Sequence, residues 1–404
     1  MDFLKLLAVF LTIIFVMWMK KPLILAILAA TLATGLLYWM PVETVGTALV
    51  RGAAGWDTIQ LLLVLYLVTF LQRMLETRGC LSQAKDALDG LFNSRRIDAS
   101  VAPALLGMLP AVGTVLICGD VVRQSTDGYL SVEEQACVTT YFRHLTELFF
   151  PTYTSILIAI SLTGGRVSVG TFTLAMLPMM AAVMVIGWFF YLRRLPKEAG
   201  SPCRQPRAAC WKLLFQSLWT ILFTVVVIVV FQVPVYIAML ICVVLNALVS
   251  RFRWAELKPF FSSAFEGKVM LNTLIIMVFK EVLAATGVIR ALPGFFSSLP
   301  IPGFLIFSLI FFFGTIVAGS QSMIVLCMPM AMATASGSSL PLFILLMCMA
   351  YSANQLSPVH VCLAVCAENY HISLGALVRK TIPLSLSFCL VAFLYFFCLS
   401  CLGV

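Results

Sequence analysis

Charge is scarce in this chain. Of 404 residues only 11% are Asp, Glu, Lys or Arg, while 62% are hydrophobic and the mean hydropathy is +1.05. That balance excludes an ordinary soluble globular domain and points to a polytopic membrane protein. No Gly-x-x-x-x-Gly-Lys-Ser/Thr loop is present, so an ATP-driven pump would need a partner chain to supply the phosphate site. A serine or cysteine nucleophile elbow and a complete metal-ligand motif are also missing, which argues against a membrane-embedded enzyme, although His144, Glu147 and His360 could form an acid/base cluster. The net charge is +9, yet the basic residues form no patch interleaved with aromatics, and nucleic acid is excluded as a partner. Thirteen cysteines form an odd set, most of them inside apolar runs and without metal-ligand spacing, and read as small packing residues. The first apolar run, Phe3 to Met19, has neither a basic segment before it nor a small-residue cleavage site, and reads as a retained span.

What the chain has in quantity is apolar runs. Ten read as membrane spans, at about 3–19, 22–40, 58–77, 132–163, 169–192, 212–231, 233–250, 269–287, 341–367 and 381–402. Two more, 99–121 and 302–335, are interrupted, the first by Pro110 and Gly113 and the second by Gly314, Gly319, Ser320, Gln321, Ser322 and Pro329. Neither suits one straight helix, and both read as re-entrant hairpins.

The two halves repeat each other. Pro22 returns as Pro234, Gly79 as Gly287, Val112-Gly113-Thr114 as Ala318-Gly319-Ser320, Pro151 as Pro358, Gly170 as Gly375 and Pro178 as Pro383, always 205 to 212 residues apart. Five spans per unit would put matching loops on opposite faces, and the charges follow that rule. The loop 41–57 holds one basic residue, Arg51, against Arg251, Arg253, Lys258 and Lys268 in its counterpart 251–268; 73–96 holds five, against Lys280 and Arg290 in 280–304. Placing basic residues in the cytoplasm leaves only Lys5, Arg51, Arg166 and Arg290 outside, with Arg143 and Lys280 at membrane depth and the other twenty of 26 inside. The expected fold is therefore an all-α polytopic membrane protein of two inverted-topology repeats of about five spans each, with two re-entrant hairpins and two interrupted helices. The first repeat covers 1–192, a cytoplasmic linker 193–211, and the second repeat 212–404.

Each unit has one span with a polar centre broken by proline. The first reads from Tyr141 through Arg143, His144, Glu147, Pro151 and Thr152 to Thr154; the second from Tyr351 through Asn354, Gln355, Ser357 and Pro358 to His360. Pro151 and Pro358 remove a backbone donor and should break their helices there, aiming half-helix dipoles at the interior. Arg143, His144 and Glu147 share one helical face at membrane depth, where ionisable groups cost several kcal/mol unless paired or wetted. They read either as an internal ion-pair cluster or as a site that meets solute or a coupling proton. His144 and Glu147 also have the spacing of two metal ligands, but no third stands at a helical interval, and no metal is expected. The hairpin turns bring Gly113 and Thr114 in one case and Gly319, Ser320, Gln321 and Ser322 in the other, groups that let a backbone approach a solute and ligate sodium or a carboxylate. Lys280-Glu281 reads as a neutralised pair, and His371 as a solvated loop residue.

The stretch Phe142-Arg143-His144-x-x-Glu147 with Pro151, and Leu356-Ser357-Pro358-Val359-His360, resemble a family of prokaryotic integral membrane proteins, domain of unknown function family 401, over nearly the whole chain. That family is similar to the ion transporter superfamily of divalent-anion/sodium symporters, citrate transporters and gluconate permeases. The resemblance implies inverted repeats, re-entrant hairpins, homodimers, and elevator-type movement of a transport domain against a scaffold. It also implies that sodium and carboxylate are held at the hairpin tips, Gly113-Thr114 and Gly319 to Ser322, and around Pro151 and Pro358.

The function expected is secondary active transport of a small anionic organic solute, coupled to Na+ or H+, by a multi-pass protein of the inner (cytoplasmic) membrane. Arg143, Thr152, Asn354, Gln355 and Ser357 join the hairpin tips as solute-binding candidates, and His144, Glu147 and His360 stand as proton carriers. No cofactor is expected beyond a coupling Na+. A passive channel and a membrane enzyme are the rivals. The charge asymmetry predicts both termini outside and the linker inside: reporter fusions should place Arg204 and the carboxyl terminus on opposite faces, and finding them on one face would refute the topology.

Overall fold

The structure, a computed structural model, describes residues 2–19, 21–91, 94–108, 114–196, 206–288, 300–335 and 339–403. These form helices and connecting turns, with no β-strand among the described residues. A helix answers every interior N–H with a C=O of the same segment, which hydrocarbon surroundings demand. Four stretches are long and apolar enough to cross a membrane: Val42–Thr77, Val169–Phe190, Arg207–Val229 and Leu374–Cys401. Shorter apolar helices include Leu23–Leu37, Val235–Val249, Gly303–Ala318, Ser320–Thr334 and Leu340–Asn354.

The expected spans all fall on helices, but three segments read as loops do too. Residues 41–57 contain Val42–Ala54, residues 73–96 contain Cys80–Leu91, and residues 251–268 contain Trp254–Ser263. They are 10 to 13 residues long and amphipathic or mixed, so a hydropathy window sized for a full span averages them away. The expected linker 193–211 is also partly ordered. A short 3₁₀ turn covers Leu192–Arg194 and the next helix already begins at Arg207, while residues 197–205 lie outside the described residues. The last helix starts at Leu374, capped by Ser373 accepting from the Ala376 amide, and so takes Arg379 and Lys380 into its first turns.

The stretch 99–121 resolves into two packed helices, Arg95–Leu106 and Thr114–Thr126. The turn between them, with Pro110 and Gly113, lies outside the described residues. The stretch 302–335 is the packed pair Gly303–Ala318 and Ser320–Thr334. Gly319 alone makes its turn, at φ 82° and ψ 155°, a region that is essentially closed to residues with a Cβ. Gly314 and Pro329 do not interrupt. Gly314 sits inside its helix where a Cβ would lie 2.5 Å from Met323 Cε, so it lets the two arms approach, and Pro329 is carried within Ser320–Thr334.

Elements from the two halves interlock. Val42–Ala54 packs along Gly267–Ala285, Cys80–Leu91 along Arg207–Val229, and Trp56–Thr77 along Val235–Val249. Leu340–Asn354 is the innermost helix, every residue from Leu340 to Ala353 being buried, between Gly303–Ala318 and Leu374–Cys401. Across the halves, the Tyr370 hydroxyl donates to the Gly119 carbonyl at 2.8 Å and lies 2.9 Å from Thr139 Oγ1. Arg123 donates to the Asn369 carbonyl at 3.2 Å and stacks on the Tyr370 ring. Ion pairs gather charge at the helix ends: Arg78 with Glu256 at 3.0 Å, Arg73 with Glu266 at 3.7 Å, and Glu134 with both Arg194 and Lys380 at 3.2 and 3.3 Å. The Arg78 hydrogen bonds hold the Glu256 carboxyl below the usual range.

A close backbone approach between helices of the two halves falls at Gly52. A Cβ there would lie 2.5 Å from Val278 Cα and 3.0 Å from the Met277 carbonyl oxygen, whereas a Cβ at Gly46 of the same helix would meet nothing. Gly52→Ala should therefore force the two helices apart at a cost of about 1–3 kcal/mol and lower the thermal midpoint. Gly46→Ala should leave it unchanged or raise it. Equal midpoints for the two variants, measured by thermal unfolding in detergent, would contradict this packing.

Candidate functional site

Two helices are broken in the protein interior, and each break is tied to a hairpin. The first begins as Val132–Arg143, opened by a capping box in which Ser131 Oγ accepts from the Glu134 amide and Glu134 accepts from the Ser131 amide. It tightens into a 3₁₀ turn over His144–Leu148, loses helical form through 149–153, and resumes as Thr154–Ser161. The α-helix thus stops well before Pro151, where the break was expected. Proline disfavours the helical conformation of the residue before it, and the turn ahead is held by its neighbours. The Thr146 and Tyr153 hydroxyls both donate to the Gly107 carbonyl, at 2.9 and 2.6 Å. Gly107 itself abuts the Arg143 carbonyl oxygen, leaving no room for a Cβ. The second runs Leu340–Asn354, breaks over 355–360 and resumes as Val361–Asn369. There Ser357 Oγ donates to the Ile316 carbonyl at 2.9 Å.

Beyond the breaks lies a cavity of ≈ 540 Å³. Three helices begin on it: Thr154 and Ser155 open one, Ser320, Gln321 and Ser322 a second, Val361 and Cys362 a third. Their N-cap residues, Tyr153, Gly319 and His360, make no side-chain capping hydrogen bond. First-turn amides have no partner within their own helix and carry partial positive charge. Three such ends around one volume make a surface suited to an anion.

Of the residues expected at the site, Glu147, Gly319, Ser320, Gln321, Ser322, Asn354 and His360 line this cavity. Arg143, His144, Thr114, Gln355 and Ser357 are buried and form its supporting layer. Thr152 does not belong to it: it sits in a turn closed by the Tyr153 amide on the Phe150 carbonyl at 3.1 Å and faces a separate, mainly apolar crevice with Val68, Met108, Ile221 and Met239. Pro151 is buried and Pro358 exposed, and Gly113 lies outside the described residues. The lining residues missed were Tyr153, Thr154, Ser155 and Cys362. A signal existed: counting three and four residues on from each proline gives Thr154 and Ser155, and Val361 and Cys362, the first turn of each resumed helix. Away from the cavity, Lys280 donates to the Ser161 carbonyl at 3.3 Å and lies 4.0 Å from Glu281. His371 is exposed.

Arg143 Nη1 donates to Glu147 Oε1 at 2.6 Å, and its Nε reaches Thr114 Oγ1 at 3.4 Å. The guanidinium is 3% exposed and the carboxylate 18%, so the pair presents its acidic end to the cavity. His144 is fully buried, its ring 4.7 Å from that of His360. The ligand atoms of His144, His360 and Cys362 lie within 4.8 Å of one another.

A family profile described as "Protein of unknown function (DUF401)" matches residues 4–398. The chain belongs to that family. Among curated proteins no sequence matches. Among solved structures this DUF401 protein is similar to the YdaH transporter of Alcanivorax borkumensis, at 15% identity and TM-score 0.62, over 90% of this chain and 89% of that one. At that identity the likeness establishes a shared fold, the helical fold of a membrane transporter. The broken helices and paired arms described above lie within residues 4–398, which the family profile covers.

The Arg143–Glu147 pair yields a direct test. Removing one partner of a buried pair strands the other's charge, at about 3–5 kcal/mol. Arg143→Ala and Glu147→Ala should each lower the thermal midpoint, and the double variant should lose less than their sum, with an interaction energy of about 1–3 kcal/mol. Additive losses would mean that the pair contributes no coupling.

Proposed function

We propose that this protein is a secondary active transporter of a small anionic organic solute, coupled to a proton or sodium gradient. One observation carries the reading: three helix N-termini without side-chain caps open on a single cavity beside a titratable ion pair. In this reading the two halves are inverted repeats, 1–192 and 212–404, and the paired arms are re-entrant hairpins. The protein sits as a homodimer in the inner membrane and alternates access by an elevator-type movement. Two features support the inverted arrangement. Gly79 and Gly287, equivalent in the repeat, both take positive φ, and the ion pairs at the helix ends join only segments that the charge asymmetry assigns to the cytoplasmic face.

The pair suggests how a proton and an anion could be coupled. With Glu147 ionised, Arg143 is neutralised and the cavity offers only amide dipoles and hydroxyls. A proton on Glu147 removes the negative end of the pair, and the cavity becomes more favourable to an anion. Loss of the proton restores the pair and expels the anion. Solute and proton are bound and released together, while Ser320, Gln321, Ser322 and Asn354 hydrogen-bond the solute. Sodium coupling would instead use the same hydroxyl and amide oxygens as ligands.

Proteoliposomes loaded with citrate, succinate or gluconate provide the test. Wild-type protein should exchange external labelled solute against at least one of these and accumulate it under an imposed pH or sodium gradient. Rapid leakage without counterflow would indicate a channel. Glu147→Gln should retain exchange and lose accumulation driven by the pH gradient. Accumulation at the wild-type level would make Glu147 a structural residue.

A further inference from the structure

We propose that His144, His360 and Cys362 form a binding site for a borderline-soft divalent metal, with Zn2+ as the best match. The site lies in the cavity wall and joins the two helix breaks. It goes beyond the transport reading and does not depend on it.

The three donors come from distant parts of the chain but converge, Nε2 of each histidine and Sγ of Cys362 being candidates for one ion. The hydrogen bonds fix the tautomers. His144 Nδ1 lies 2.6 Å from the Thr140 carbonyl oxygen and His360 Nδ1 lies 3.1 Å from the Asn354 carbonyl oxygen. A carbonyl oxygen can only accept, so both protons sit on Nδ1 and each Nε2 keeps its lone pair. Metal-bound histidines are held in this way by the groups behind them. His144 is fully buried and its Nε2 has no hydrogen-bond partner. A buried acceptor without a partner is unfavourable, a deficit that a metal–nitrogen bond removes.

Cys362 stands in the first turn of Val361–Asn369, where the helix dipole favours a thiolate. Binding displaces its thiol proton to cavity water, while the two neutral imidazoles bind through lone pairs and lose no proton. Two nitrogens and one thiolate suit Zn2+ at about 2.0–2.1 Å for nitrogen and about 2.3 Å for sulfur, and suit Mg2+ or Ca2+ poorly. Three protein ligands leave a fourth position toward the cavity. Water can occupy it, or Glu147, whose Oε1 lies 3.8 Å from His144 Nε2. Arg143, the nearby cation, is bonded to that same carboxylate, which limits its repulsion of the metal.

The experiment uses the full chain purified in detergent after EDTA treatment. Ser replaces Cys398 and Cys401, which are exposed, and Cys203, so that these thiols do not compete. CoCl2 is the spectroscopic probe. One equivalent should produce the strong visible bands of tetrahedral cobalt and a near-ultraviolet thiolate-to-cobalt band, and ZnCl2 should abolish both. Cys362→Ser should remove the thiolate band, and His360→Ala should weaken Co2+ binding at least about tenfold. These positions lie at the cavity, so the variants avoid disturbing fully buried His144. Absence of stoichiometric binding, a weak octahedral spectrum, or a thiolate band that survives Cys362→Ser would each overturn the site. Because the readout is a spectrum and not uptake, failure of the metal site and failure of the transport reading are distinguishable.

Discussion

Backbone polar groups released inside an apolar protein must find partners, and this constraint organises the structure around its two broken helices. At the first break, the carbonyl at the end of the hairpin helix, Gly107, takes the hydroxyls of Thr146 and Tyr153, and Thr140 takes the His144 ring. At the second, Ile316 takes Ser357 and Asn354 takes the His360 ring. Several polar side chains at the breaks are thus committed to backbone groups. The side that remains unsatisfied is the helix starts, and those face the cavity.

A cavity made in this way has little formal charge. Its positive character is spread over amides, and its one guanidinium is matched by one carboxylate. The two halves differ here: the residue 207 positions after Glu147 is Asn354, so one half presents a carboxyl group and the other a neutral amide. Both line the same volume. A site whose electrostatics turn on a single proton needs such an imbalance, because two facing carboxylates would oppose each other's ionisation.

Much of this was legible in the sequence because it is written in local chemistry. Apolar runs mark helices, proline marks the neighbourhood of a break, and Gly319 marks a turn only glycine can make. The same rules misjudged Gly314 and Pro329, where tertiary packing and a tolerant helix outweigh the local signal, and they passed over Val42–Ala54, whose partner surface lies on Gly267–Ala285. The cavity was seen in part, since its polar residues cluster in sequence. Thr152 was preferred to Thr154 because nothing local fixes which way a turn after proline points its side chains. Cys362 was missed as a companion of His144 and His360 for a different reason: it lies inside an apolar run, where cysteine reads as a packing residue, and more than two hundred residues separate it from His144.

The bond from Tyr370 to Gly119 has a mechanical meaning. It rivets the end of the second broken helix to the first hairpin, the first hairpin is pinned at Gly107 to the first break, and Ser357 pins the second break to the second hairpin. The pinned parts form one connected chain. A displacement that preserves these bonds must carry both breaks, both hairpins and the cavity as one block, and the cavity would keep its shape while travelling. In the transport cycle proposed above, only the walls that the block slides past would then decide which side of the bilayer it opens to.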